Sequence, residues 1–289
     1  MKITDCHTHF FPPEIADCPE NWAEKNGEIY WGKLVGKRPD GKKSLQGFPD
    51  ADKFLHDMDS AGVERAVIQG WYWVNPATCD SENARIIKFA AAHPDRISAF
   101  ASINPAKFPA PEMQISKLRD AGFSGIGELH DGVQNFDFLS EEFSEIARAC
   151  AEADFPICIH LTEKSERQYL GKVATNFDAA YEAARRNPDT KFIFAHFSGG
   201  DALDGFPLPP NVYFDTAAFP LTNDSAALAR ATQKYPDRAL YGSDYPIRLY
   251  PRKFREEEMD TIVGEAKSAV TAEVAQRFFS QNFESLYAQ

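Results

Sequence analysis

The sequence predicts an α/β protein, a closed (β/α)8 or TIM barrel with a small β-hairpin insertion after the first strand. Three observations carry this. Eight short apolar or β-branched runs alternate with helical patterns, at spacings near the ~30 residues of one βαβ unit. Such alternation implies a parallel sheet, and eight units imply closure into a ring. An open nucleotide-binding sheet would show a Gly-x-Gly-x-x-Gly after the first run or a P-loop, and neither is present. The 289 residues suit one barrel, so the chain reads as one domain over 1–289.

The first strand spans 2–9 and is ended by Phe10-Phe11-Pro12-Pro13. Residues 14–49 keep no steady period. There Pro39-Asp40-Gly41 sits between Ile29-Tyr30-Trp31 and Ser44-Leu45-Gln46, which predicts a β-hairpin insertion lying as a lid over the exit of the first strand. A helix over 50–61 closed by Gly62 leads into a strand over 63–70 that ends in Trp71-Tyr72-Trp73. A helix over 80–93 stopped by Pro94, a strand over 97–104 and a helix over 111–121 follow. The next pairs are strand 123–129 with helix 140–153 capped by Ser140, and strand 156–160 with helix 176–187. Strands over 191–196, 212–216 and 239–244 complete the ring, with a helix over 224–235 between the last two. Two further helices lie around 254–268 and 272–286.

Composition excludes several function classes. The net charge is −12, the pI is near 5.1, and no Lys/Arg stripe exists, so the electrostatic footprint of nucleic-acid binding is missing. No apolar run approaches the ~20 residues needed to span a bilayer, and no signal sequence opens the chain, which predicts a cytoplasmic protein with no membrane partner. Five scattered cysteines without a Cys-x-x-Cys spacing argue against disulfides and a thiolate metal site; Cys18 is the expected exposed one.

The ionisable residues fall in one place. His7 and His9 lie two apart in Thr4-Asp5-Cys6-His7-Thr8-His9, so on a strand they share a face. Glu128 ends strand four, His160 strand five, His196 strand six and Asp244 strand eight. All lie at C-terminal strand tips, the face that carries barrel active sites. Core histidines would be scattered through the runs instead. A set of imidazoles and carboxylates suits a divalent metal, zinc first, with manganese, iron or nickel as alternatives. A bound zinc lowers the pKa of its water from roughly 15.7 to about 7, on the order of 12 kcal/mol, which exceeds the usual gain from one acid or base.

The first-strand motif, the strand-five histidine, Ala195-His196-Phe197-Ser198-Gly199-Gly200 and Tyr241-Gly242-Ser243-Asp244-Tyr245-Pro246 resemble the amidohydrolase superfamily. More narrowly they resemble its amidohydrolase-related branch, which holds metal-dependent hydrolases and non-oxidative decarboxylases such as aminocarboxymuconate semialdehyde decarboxylase. The resemblance implies that His7, His9 and His160 bind a metal, that Asp244 ligates it or takes a proton from its water, and that His196 polarises the substrate or activates water. Glu128 is similar to the bridging carboxylate of binuclear members. If it bridges, His160 and His196 take a second metal while His7, His9 and Asp244 hold the first. A homodimer is expected because members of this branch often pair.

Other residues carry weaker signals. His130 lies two beyond Glu128 and reads as a substrate contact or a loop histidine. Trp71 and Trp73, with Tyr72, could wall an aromatic pocket, and Arg248 or Arg167 could clamp a substrate carboxylate. Asp5 could support the paired histidines from behind, and His56 and His93 read as surface residues. The leading function is a metal-dependent hydrolase in which activated water attacks a carbonyl, ester, lactone or amide carbon of a small molecule. The alternatives are a metal-dependent decarboxylase of a small unsaturated or aromatic acid, and a non-catalytic barrel that binds metal or ligand.

Overall fold

The computed structural model describes residues 1–36, 44–162, 169–200, 207–219, 224–248 and 258–287. Eight strands occur among them in chain order: β1 Thr4–Thr8, β2 Arg65–Ile68, β3 Ile97–Ala99, β4 Ile126–Leu129, β5 Ile157–Ile159, β6 Phe192–Phe194, β7 Val212–Asp215 and β8 Ala239–Leu240. Each pairs in parallel with its sequence neighbour, in two arcs, β1-β2-β3 and β4 to β8. Two seams join the arcs. Ala101 N–H donates to Gly125 O at 2.9 Å and Ala101 O accepts from Gly127 N–H at 3.0 Å, closing β3 onto β4. Cys6 N–H donates to Tyr241 O at 2.9 Å and Asp244 N–H to His7 O at 2.9 Å, closing β8 onto β1. The ring is therefore a (β/α)8 barrel, as its alternation predicts.

Alternating side chains sort the core into two faces. Ala66, Ile68, Ala99, Ile157, Ile159, Phe192 and Phe194 pack with helix residues such as Phe54, Ile86, Ile146 and Leu228 on the outside of the ring. Val67, Phe100, Cys158, Ile193 and Leu240 meet one another inside it, against Phe283 and Leu286 near the C-terminus. The strands are shorter than expected because their last residues leave the ladder to present side chains at the rim.

Helix boundaries follow their caps. Asp50 accepts from Lys53 N–H to start Ala51–Ala61, and Gly62 at φ 70° ends it. Ser140 accepts from Phe143 N–H to start Glu141–Glu152. One helix begins four residues before its expected start: Pro76–Ala92 opens at Asn75, whose side chain accepts from Ala77 N–H, with Pro76 in the first turn.

The insertion departs from the hairpin expectation. Pro19–Asn26 and Ile29–Val35 are helices, so Ile29-Tyr30-Trp31 is not a strand. Trp31 and Val35 lie about one helical turn apart and are both buried, so this short helix turns one face inward. The Glu28 carboxylate accepts from Val74 and Asn75 N–H at 2.9 and 3.0 Å, pinning this helix to the exit of β2. The turn at 39–41, Arg167 and the start of the helix expected around 254 lie outside the described residues; that helix is described from Asp260–Ala269. Among the described residues no helix is long and apolar enough to cross a membrane.

Candidate metal centre

Six residues from five strand exits converge at the C-terminal rim. His7 and His9 project from β1 and its exit, and both are buried, at 0% and 2% exposure. Their Nε2 atoms are buried without a hydrogen-bond partner. Facing them are Glu128 Oε2, 3.7 Å from His7 Nε2 and 3.6 Å from His9 Nε2, and Asp244 Oδ1, 4.0 and 3.4 Å away. The other oxygen of Glu128 looks the opposite way. Its Oε1 lies 3.0 Å from His160 Nδ1 and 3.6 Å from His196 Nε2, and those two nitrogens are 3.2 Å apart.

The orientation of each ring follows from its second nitrogen. His7 Nδ1 lies 2.8 Å from Asp215 Oδ2, His9 Nδ1 3.3 Å from Gln69 O and His196 Nδ1 3.2 Å from Ala217 O. Each acceptor turns the remaining Nε2 toward the carboxylates. Orphaned buried imidazole nitrogens facing carboxylate oxygens at 3.4–4.0 Å are too far for good hydrogen bonds. They are spaced as ligand atoms around a cation would be, and the nitrogen/oxygen set fits a divalent metal.

Charge is concentrated here. Burial disfavours the charged form of Glu128, but the imidazoles of His160 and His7 outweigh it and hold the carboxyl well below its ordinary range. Asp244 follows the same logic: burial pulls its carboxyl up, and the nearby His9 imidazole, with the charge of His196 and His7, brings it below normal. His7 is raised well above normal because Asp215 and Glu128 overcome its desolvation. His160 and His196 split, to about 4 and about 9: desolvation dominates the first, while the Glu128 hydrogen bond and charge win at the second.

Backbone geometry aims two of these groups. His196, Phe197 and Ser198 all take left-handed φ values of 54–58°, ahead of Gly199 and Gly200. Asp244 sits at φ 65°. Left-handed non-glycine residues cost about 1–3 kcal/mol each and persist where surrounding contacts hold them. Here Asp215 Oδ1 accepts from His196 N–H at 3.1 Å and Ala217 N–H at 2.9 Å.

The remaining candidates divide. Trp71 stacks on Tyr72 at 4.4 Å, and the pair spans the centre: Trp71 lies 5.1 Å from the His9 ring and Tyr72 5.0 Å from the His160 ring. Trp73 is 1% exposed and packs on Trp22 and Trp31 rather than on the histidine rings. His130 stacks on His160 at 5.2 Å and caps the short helix Asp131–Gln134, because β4 ends at Leu129. The Arg248 guanidinium donates to Ser44 O and Gln46 O at 3.0 and 2.8 Å, which ties down the end of the insertion. Asp5 does not touch an imidazole; its Oδ1 accepts from His7 and Ser243 N–H. The carboxylate behind His7 is Asp215, which sequence reasoning passes over although it ends β7 and obeys the same strand-tip rule.

Comparisons with known proteins bear on the family and the fold. The profile of the family described as amidohydrolase matches residues 4–288. No curated protein sequence matches the chain. Among solved structures, a 2,6-dihydroxybenzoate decarboxylase from Rhizobium is 15% identical with a TM-score of 0.68, covering 99% of this chain and 98% of its own. A 5-carboxyvanillate decarboxylase from Novosphingobium aromaticivorans, complexed with manganese, is 15% identical with a TM-score of 0.69, over 100% and 96%. A probable 2-pyrone-4,6-dicarboxylic acid hydrolase from Acinetobacter baumannii is 13% identical with a TM-score of 0.65, over 100% of both chains. At these identities the likeness establishes the fold.

Proposed function

Because the chain belongs to the amidohydrolase family, we propose that it is a two-metal hydrolase acting on a carbonyl, ester, lactone or amide carbon of a small molecule. The observation that carries this reading is the two-sided Glu128, whose Oε2 faces His7 and His9 while its Oε1 faces His160 and His196. That is the placement of a bridging carboxylate. One ion would be held by His7, His9, Asp244 and Glu128, the other by Glu128, His160 and His196. The chemistry such a pair supplies when bound is a polarised carbonyl oxygen and a water acidified from roughly pKa 15.7 to about 7.

The chain's own groups do the rest. Asp244 is the most solvent-accessible of the acids, its side chain 15% exposed against 1% for Glu128. Held ionised, it accepts the proton of the attacking water at a carboxylate oxygen and returns it to the leaving group. His196 lies on the other side of Glu128; Ala217 O faces its Nδ1, which turns Nε2 toward the place of the second ion. The Trp71–Tyr72 pair offers a flat apolar wall that orients a planar substrate and excludes water.

Elemental analysis with a substrate panel tests this. We expect two divalent ions per chain and water addition to lactones or esters. The decarboxylase alternative is favoured by the named decarboxylases among the structural neighbours. It needs a cation for the substrate carboxylate, and Arg248 is engaged with main-chain carbonyls instead. One ion per chain with carbon dioxide released from an aromatic acid would replace the hydrolase reading.

A further inference from the structure

From the contacts of one buried carboxylate, we infer that Asp215 is a positioning residue that fixes the proton of His7 on Nδ1 and sets both halves of the metal centre in register. The inference rests on the metal-centre reading above and adds the group that makes it competent. Asp215 and His7 are both fully buried, with Oδ2 and Nδ1 2.8 Å apart. Oδ1 already accepts from the N–H groups of His196 and Ala217. The carboxylate therefore offers His7 an acceptor, and a neutral imidazole can satisfy it only with its proton on Nδ1. The lone pair is then left on Nε2, the atom that faces Glu128 and Asp244.

The other rings show why this position is singular. His9 and His196 are oriented by backbone carbonyls, Gln69 O and Ala217 O, which are acceptors in any sequence. Of these three rings, His7 is the one whose Nδ1 acceptor is a side chain. The same side chain reaches across the rim to hold the backbone of His196 in its left-handed turn, so β1, β6 and β7 are registered through one group. Removing its charge without changing its shape separates these two duties.

Asp215→Asn is the test. The amide oxygen can keep both backbone hydrogen bonds, while its NH2 now faces Nδ1 as a donor, draws the lone pair there and places the proton on Nε2. With zinc as the probe, titrated into chelator-stripped protein, we expect D215N to fold as the wild type and to lose about 10- to 100-fold in affinity at one of its two sites. The second site should change less than about threefold, and Asp5→Asn, whose carboxylate accepts from backbone N–H groups, should leave both sites within about threefold. Ring nitrogen NMR of zinc-loaded wild type should find the His7 proton on Nδ1. Wild-type affinity at both sites of D215N would overturn the inference while leaving the metal centre intact. Wild-type protein that takes up no zinc or manganese would defeat the metal-centre reading and this inference together. If D215N does not fold, the wild-type His7 ring decides: a proton on Nδ1 supports the assignment and one on Nε2 overturns it.

Discussion

Glu128 is the residue on which the metal count turns, because its two oxygens serve separate nitrogen pairs. Glu128→Gln keeps the shape but removes the charge that offsets four surrounding imidazoles. We expect it to reduce the metal content from two ions to one or fewer and kcat by at least about 100-fold, with a near-normal circular dichroism spectrum. Retention of two ions and of turnover would contradict the bridging role. Tyr72→Phe tests the wall: ring stacking on Trp71 is preserved, so KM and kcat should both stay near wild type if the ring alone binds substrate, and a raised KM would show that the hydroxyl takes part. The residues that carry chemistry were legible at this scale because metal-binding side chains are few in kind. Asp215 was not, since an aspartate ending a strand declares nothing until the ring it bonds to is known.

At the scale of elements, the rim depends on strands that stop early and on turns that re-aim the side chains beyond them. Gly242, just past β8, sits where a Cβ would come within 2.8 Å of His7 Cβ. Neither atom is the end of a flexible side chain, so one strand tip must shift. Gly242→Ala should cost about 1–3 kcal/mol of stability by overpacking and weaken metal binding through His7, read by thermal melts and zinc titration. Unchanged zinc affinity would mean that the tip has slack. Periodicity located the strands, and the caps at Asp50 and Ser140 located helix starts. The insertion was misjudged because an apolar triplet such as Ile29-Tyr30-Trp31 fits strand and helix equally. Glu28, 46 residues from the Val74 N–H it binds, takes part in settling the choice.

Across the whole molecule, metal binding and folding should be linked. An ion that binds the native chain alone at about 100 times its Kd adds about 2.7 kcal/mol, so chelation should lower Tm by about 4–5 °C per ion for a chain of this size, read by calorimetry. An unchanged Tm would argue against occupancy of the centre. Thiol chemistry gives an independent check on packing. Cys6, Cys79, Cys150 and Cys158 are buried, and burial pushes each thiol up, that of Cys158 to about 12, whereas Cys18 is exposed. A thiol reagent should modify Cys18 in the native protein and all five cysteines after denaturation. The sequence by itself determined the barrel and the strand tips that carry its histidines and acids, because alternation and period are local properties of a chain. Only the tertiary structure decided which oxygen of Glu128 faces which imidazole, that Trp73 packs on Trp22 and Trp31, and that Asp215 rather than Asp5 holds His7. Those are matters of distance and direction between residues up to 208 positions apart, and chain order encodes neither.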